Sequence, residues 1–367
     1  TQQRAAFHAM PHPDADRRRE RIKRVIALTK AYADRFVEAV DADFGGRPAI
    51  QTRMELFAVI EGAKHNAKHV AHWMKAEKVA LPLPHKLNGA KAEIFRQPLG
   101  VIGMIGPWNF PFTLLLGPLC GALAAGNRVL FKPSDITPAS AEVIAEAIAE
   151  YFDADEVATA IGGLDLAQAF SSLLFDHLLF TGSPAVAHPV MKAAAENLVP
   201  VTLELGGKCP VVLDDSSDLD QVMPRLMMGK LQNAGQICLA PDTVFVREHQ
   251  VEPMVAQARA LTQSWYPTIS GNPDYCAIVN DRNFARVQGY VDEAKAKGAR
   301  VEELGVPGTA GGNDRRLMPA IVVNPADDLG IAREEIFGPV MQVKTYSHVD
   351  DIIDYLAPKD RPLALYY

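Results

Sequence analysis

Cysteine is scarce in this chain, with four in 367 residues. Cys120, Cys209, Cys238 and Cys276 stand far apart, with no CxxC pair and no Cys/His ligand spacing. That pattern excludes a disulfide framework and a zinc site as the organising device, and a reducing, cytoplasmic setting without a metal is expected. Long apolar runs are missing as well. No stretch reaches the roughly 18 residues of a membrane span. The first thirty residues carry charge where a secretory leader would need an apolar core. Concentrated positive charge is also absent: the net charge is −7, which argues against nucleic acid or an anionic membrane surface as partner. The one basic cluster, Arg17 to Arg24 with Glu20 inside it, falls at helical spacing and reads as a solvated helix face. No GxGxxG fingerprint occurs, since GVIGMIG has the wrong spacing for a standard dinucleotide turn.

What is present is an ordinary globular composition, 48% hydrophobic and 22% charged, enough to bury two cores and to point toward a small-molecule partner. Residues 15 to 73 are helical in pattern, broken at FGGRP. KVALPLPHKLNGAKAEIFRQP then changes character, and its prolines read as an arm or edge ribbon over 77–97. Beyond it, LGVIGMIG, NRVLFKP, ATAIGG, DHLLFTGS and VPVTLELGG alternate with helical stretches starting near Pro111, Ser140, Leu166 and Pro184. Such alternation implies an α/β fold with a doubly wound parallel sheet and ligands at the carboxyl ends of its strands. A second alternating unit follows from PVVLD onward, through a helix at Leu219 to Leu231, TVFV, MPAIVVN and VMQVKTY. The closing PLALYY reads as a strand cut off in mid-element, so this second unit is expected to be incomplete.

Some residues suggest chemistry. Cys238 follows Gly235-Gln236 at the expected end of a helix, where backbone N–H groups can approach a bound carbonyl. An ordinary thiol, with a pKa of roughly 8.5, needs a base or an electropositive setting to act as nucleophile. Glu204, among Val201, Leu203 and Leu205, reads either as a solvent-facing carboxylate at a strand end or, if buried, as a general base with raised pKa. Asn109 lies in PWNFP, fixed by prolines past a strand end, where its amide could donate to an oxyanion. Lys132, Ser134 and Asp135 in FKPSD read as ribose or phosphate contacts or as a simple capping turn. Gly182 and Ser183 in TGSP open a helix suited to a pyrophosphate. Glu335 and Phe337, in REEIFGPV, read on their own as a surface loop with one anchoring aromatic.

PWNFP, FKPSD, FTGS, LELGGK, GQIC and EEIFGPV, in this order, closely resemble the aldehyde dehydrogenase superfamily. CLAPD after the cysteine resembles its class 3 branch, and YPTISGNPDYCAIVNDRNFARV is similar to the bacterial coniferyl aldehyde dehydrogenase group. The resemblance implies a Rossmann-like NAD(P)-binding domain over 1–76 and 98–205, an oligomerisation arm over 77–97 and a catalytic domain over 206–367. It implies that Cys238 attacks an aldehyde, that the Asn109 amide and the Cys238 N–H hold the oxyanion, and that Glu204 activates the water hydrolysing the thioester. By the same resemblance Lys132 contacts the adenine ribose, with Ser134 and Asp135 beside it. Gly182 and Ser183 lie near the pyrophosphate, Glu335 and Phe337 position the nicotinamide ribose, and Trp108, Phe110 and Phe112 line a substrate tunnel. The implied cofactor is NAD or NADP, the partner an aldehyde, hydrophobic or aromatic, and the assembly a homo-oligomer, a homodimer by preference. Asp135 stands where the family usually has Glu, leaving NAD against NADP open. Pro189 falls inside the expected helix, where a lost backbone bond would cost roughly 3 kcal/mol unless the helix kinks. The rival readings are a cofactor-independent thiol esterase and a non-catalytic protein on the same fold.

Overall fold

The computed structural model describes residues 2–312 and 314–367. Twelve strands are numbered in chain order: β1 Glu77–Val79, β2 Ala92–Ile94, β3 Val101–Ile105, β4 Arg128–Lys132, β5 Val157–Thr159, β6 His177–Gly182, β7 Val201–Leu205, β8 Pro210–Val212, β9 Thr243–Val246, β10 Arg300–Glu303, β11 Ala320–Val323 and β12 Val340–Thr345. Two compact units divide the chain. One comprises Thr1–Ala39 and Thr52–Glu204, the other Val40–Gln51 and Leu205–Tyr367.

In the first unit the strand order is β5-β4-β3-β6-β7. β3 pairs in parallel with both β4 and β6, and β4 with β5. The order reverses at the β3/β6 boundary, the topological switch point where a doubly wound sheet opens its ligand crevice. All five residues of β3 are buried, as expected for a central strand covered on both faces. Helices Thr113–Ala125, Pro138–Tyr151, Leu164–Ser171 and Pro184–Glu196 make the crossovers. Thr113–Ala125 stops at Gly126, whose φ of +92° supplies the left-handed cap that a residue with Cβ resists. Pro184–Glu196 runs on through Pro189 without interruption. β1 and β2 form a separate antiparallel ribbon whose Val79, Ile94 and adjoining Phe95 are exposed.

The basic cluster is not the solvated face that its spacing suggested. Arg18 and Arg21 are buried. Arg18 donates to the Ala124 and Ala125 carbonyls at a helix C-terminus, at 3.1 and 2.9 Å, where a cation complements the dipole. Arg21 and Arg24 both grip Glu156, at 2.8 and 2.7 Å. Burial pushes the Glu156 carboxyl up, but the two guanidinium groups more than offset it and hold it below its usual range.

In the second unit the order is β10-β11-β12-β9-β8. The sheet is parallel from β8 through β11, but β10 joins it antiparallel, so a uniformly parallel sheet is not formed here. Its residues are exposed or half-buried, the condition under which an antiparallel edge is tolerated. Alternation along β9 sends Val244 and Val246 under the helices Leu219–Leu231 and Val251–Trp265, with Met227 and Met254. Phe245 turns to the other face, with Tyr346 and Ile352 of helix Val349–Leu356. Residues 40–51 belong to this unit and not to the helical segment around them in sequence. The Phe44 carbonyl accepts from Arg315 at 2.7 Å, the Gly46 carbonyl from the Ala277 N–H at 2.8 Å, and the Gln51 side chain from the Asn233 N–H at 3.1 Å.

Candidate active site

In the first unit, every candidate residue sits at or just beyond the carboxyl end of a strand. The segment after β3 is anchored by a distant acid: Glu55 accepts the Phe112 and Thr113 N–H groups, each at 2.9 Å, and caps the helix that begins at Thr113. Phe112 is fully buried and packs against Phe36, with ring centroids 4.0 Å apart. It is a core residue, and the expected place in a tunnel lining does not hold for it. Between β3 and this anchored helix lies Asn109, 4% exposed. Its neighbours Trp108 and Phe110 are half-buried.

Lys132 ends β4 with its side chain buried, and its ammonium reaches Asp135 at 3.2 Å. Ser134 Oγ accepts the Ile136 N–H at 3.2 Å and shapes the turn that presents the exposed Asp135. Gly182 ends β6, where a Cβ would fall 2.6 Å from the Phe180 ring. Ser183 is the N-cap of the 13-residue helix starting at Pro184, and its side chain makes no capping bond. Pro184 has no N–H, and the Val186 and Ala187 N–H groups already donate to the Ser183 carbonyl at 3.1 and 3.0 Å, so an anion there would meet the Ala185 N–H and the Ser183 hydroxyl. Glu204 lies on β7, an edge strand whose burial alternates, and it is exposed together with Thr202. The strand's two-residue period puts both side chains on the outward face.

In the second unit the candidate residues sit at the amino ends of strands, opposite to the first. Helix Leu219–Leu231 passes into the short turn Gln232–Gly235, and Cys238 stands in the loop beyond, not at the helix end itself. Asn233, Ala234 and Gly235 have φ of +50°, +50° and +71°. Two of these are not glycine, and a left-handed conformation costs such residues about 1–2 kcal/mol each. Gln236, wholly buried, clamps the strained stretch. It donates to the Asn233 and Ala277 carbonyls at 2.9 and 3.0 Å and accepts the Val279 N–H at 2.9 Å. Asn233 returns a bond to the Gln236 carbonyl at 3.2 Å. Cys238 is half-buried; burial pushes its thiol up, and the charge of Glu335 adds to that.

Glu335 lies in the loop before β12. Burial pushes its carboxyl up to about 7, against the Gly207 N–H, which favours the ionised form. Gly206 makes room for it: a Cβ there would lie 2.4 Å from both carboxylate oxygens. Phe337, two residues on, holds a φ of +47°. Arg286 ties this loop down through the Glu335 and Ile336 carbonyls at 3.2 and 3.0 Å. Asp242 accepts the Ile336 N–H at 2.9 Å and pairs with Lys208. Cys209, fully buried, sits 3.3 Å from the Cys238 carbonyl. Sequence reasoning singled out Glu335 and missed Asp242, Cys209 and Lys230. Asp242 is the last residue of the quoted motif CLAPD and Cys209 directly follows LELGGK, whereas Lys230 had no signal beyond an apolar helix. No group of three or more His, Cys, Asp or Glu able to hold a metal occurs among the described residues.

The first unit is an α/β domain with a doubly wound parallel sheet, and the second an α/β domain with a mainly parallel one. The chain belongs to the aldehyde dehydrogenase family, whose model matches residues 1–360. It is 46% identical over its full length to a probable coniferyl aldehyde dehydrogenase of Caulobacter vibrioides, spanning 76% of that protein. It is 45% identical to a coniferyl aldehyde dehydrogenase of a Pseudomonas species, with 95% of the chain and 73% of the relative covered. A solved structure described as the substrate-bound state of Staphylococcus aureus AldH superposes with a TM-score of 0.92 at 33% identity, over 100% of this chain and 78% of the other.

Proposed function

We propose that the protein oxidises an aromatic aldehyde, of the coniferyl type named for its relatives, to the carboxylic acid, using NAD or NADP. The residues of the first unit suit such a cofactor. Lys132 would hold the adenine ribose, with Ser134 and Asp135 shaping that turn. Gly182 leaves the backbone open to approach, and Ser183 with the helix start at Pro184 would receive the pyrophosphate. Glu335 and Phe337 would position the nicotinamide ribose. When bound, the nicotinamide supplies the two-electron acceptor for the substrate carbon.

The chain's own residues do the rest. The Cys238 sulfur adds to the aldehyde carbon, and the Asn109 amide and Cys238 N–H donate to the oxygen as it becomes anionic. After oxidation the acyl group remains on sulfur as a thioester, and Glu204 takes a proton from the water that releases the acid. A solvent-exposed Glu204 is open to that water. The exposed Val79, Ile94 and Phe95 of the β1–β2 ribbon support assembly into a homo-oligomer, with a dimer preferred.

The observation carrying this reading is the clamped left-handed turn before Cys238, strain that persists because it presents the thiol. Adding coniferyl-type, other aromatic and aliphatic aldehydes with each cofactor tests it, and reduced-nicotinamide absorbance is expected, strongest with the aromatic substrates. No reduction with any aldehyde, or ester hydrolysis indifferent to cofactor, would overturn it.

A further inference from the structure

Gln236 holds the loop of Cys238 on its upstream side; on the downstream side two further side chains of the second unit reach it, and the proposed reaction does not use them. Ile237, Cys238, Leu239 and Ala240 form a β-turn closed by the Ala240 N–H on the Ile237 carbonyl at 3.0 Å. Cys238 and Leu239 are its central residues, and the turn itself offers their carbonyls no donor. Each carbonyl nonetheless has one. The Cys209 thiol donates to the Cys238 carbonyl at 3.3 Å, and the Tyr366 hydroxyl to the Leu239 carbonyl at 2.8 Å. Burial pushes the Cys209 thiol and the Tyr366 phenol up, so each keeps the proton it donates at neutral pH.

The two donors share one mount. Cys209, fully buried, directly precedes β8, and its carbonyl accepts the Asp242 N–H at 3.0 Å, which fastens it to the chain leaving the turn. Tyr366 is seated on the outer edge of β8: its N–H donates to the Pro210 carbonyl and its carbonyl accepts the Val212 N–H, each at 2.9 Å. What the donors restrain is the peptide between Cys238 and Leu239. Turns of types I and II differ by a half-rotation of that central peptide, and type II needs a positive φ at the second central residue. Neither Cys238 nor Leu239 is among the described residues with a positive φ. Rotation would aim the Cys238 carbonyl away from the Cys209 thiol and force Leu239 into the left-handed region. It would also change the Cys238 backbone angles on which the rotamer of the thiol depends.

We propose that Cys209 and Tyr366 are positioning residues: by donating to the two consecutive carbonyls of this turn, they hold its central peptide and fix the direction in which Cys238 presents its sulfur. Gln236 restrains the left-handed stretch before the thiol, and this pair restrains the turn that contains it. An S–H group is a weak donor, so a hydroxyl in place of the Cys209 thiol holds the same carbonyl at least as well. Only the benefit to turnover rests on Cys238 being the nucleophile of the proposed reaction.

Amide hydrogen exchange on the protein without cofactor, read by mass spectrometry, tests the hold. In Cys209→Ala and in Tyr366→Phe, exchange at the Ala240 N–H should quicken roughly three- to tenfold, the worth of one modest hydrogen bond, while the rest of the second unit keeps its rates. Cys209→Ser, which retains a donor, should exchange as the parent does. Should Cys209→Ala fail to fold, Cys209→Val serves the same comparison. With a coniferyl-type aldehyde and cofactor, the two variants lacking a donor should lose roughly three- to tenfold in kcat with KM unchanged, and Cys209→Ser should keep the parent's kcat. Unchanged Ala240 exchange in either variant lacking a donor, faster exchange spread over the whole unit, a loss carried by KM instead of kcat, or a serine variant no better than the alanine one would overturn the proposal. A parent without aldehyde turnover would remove the proposed reaction and leave the exchange comparison to decide the hold.

Discussion

A carboxyl group that binds its proton more tightly when folded weakens the fold wherever it must ionise. Glu335, at about 7 against an ordinary 4.5, binds more protons folded than unfolded between those two values. Its contribution to stability therefore falls as pH rises through that window and stays low above it. Thermal melting should show Glu335→Gln gaining on the parent protein from acid to neutral pH, and a constant difference would contradict the burial assigned to this group. Cys238→Ser should abolish aldehyde-dependent cofactor reduction. Glu204→Gln should give an initial burst of reduced cofactor and then stall as the acyl-enzyme; slow steady turnover without a burst would count against its role as base. At this scale the sequence marked Cys238, Asn109 and Glu204 as candidates by type and neighbourhood, while Glu335 stood out only through the family resemblance. Burial was not legible. Leu203 and Leu205 around Glu204 left a buried and a solvent-facing acid both open, and the alternating edge strand turns it outward. Lys230, among the apolar residues of its helix, is the charge that stays inside.

At the scale of elements, the apolar runs located both sheets because buried parallel strands need little else. The antiparallel β10 escaped notice, since RVEE has no apolar run and depends on pairing with β11. The burial of the basic helix face was also unreadable, because its partner Glu156 is 135 residues away from Arg21. The turn before Cys238 could not be foreseen either: nothing in QNAG announces left-handed residues at Asn233 and Ala234, which are imposed by Gln51, Gln236 and Ala277. Gly235→Ala should be disruptive. It places a Cβ 2.1 Å from the Gly338 carbonyl at a φ of +71°, a loss of at least about 2 kcal/mol. A several-degree drop in melting temperature is expected, with a larger fractional loss of turnover than of cofactor affinity.

At the scale of the whole molecule, the β1–β2 ribbon leaves Val79, Ile94 and Phe95 exposed, and a two-stranded ribbon is marginal by itself in water. If it mediates self-association, Ile94→Glu with Phe95→Glu should lower the mass seen by sedimentation from oligomer to monomer while leaving the melting of each unit largely intact. An unchanged mass would move the interface elsewhere. The second unit has a further property, set by its thread: residues 40–51 fasten to it through Phe44, Gly46 and Gln51. On a ribosome, that strip emerges long before Asn233, Ala277 and Arg315 exist to receive it, so it must wait while the chain between is made. A gene cut at residue 205 would accordingly yield a downstream fragment missing a stitch, one that coexpression of the upstream fragment could restore.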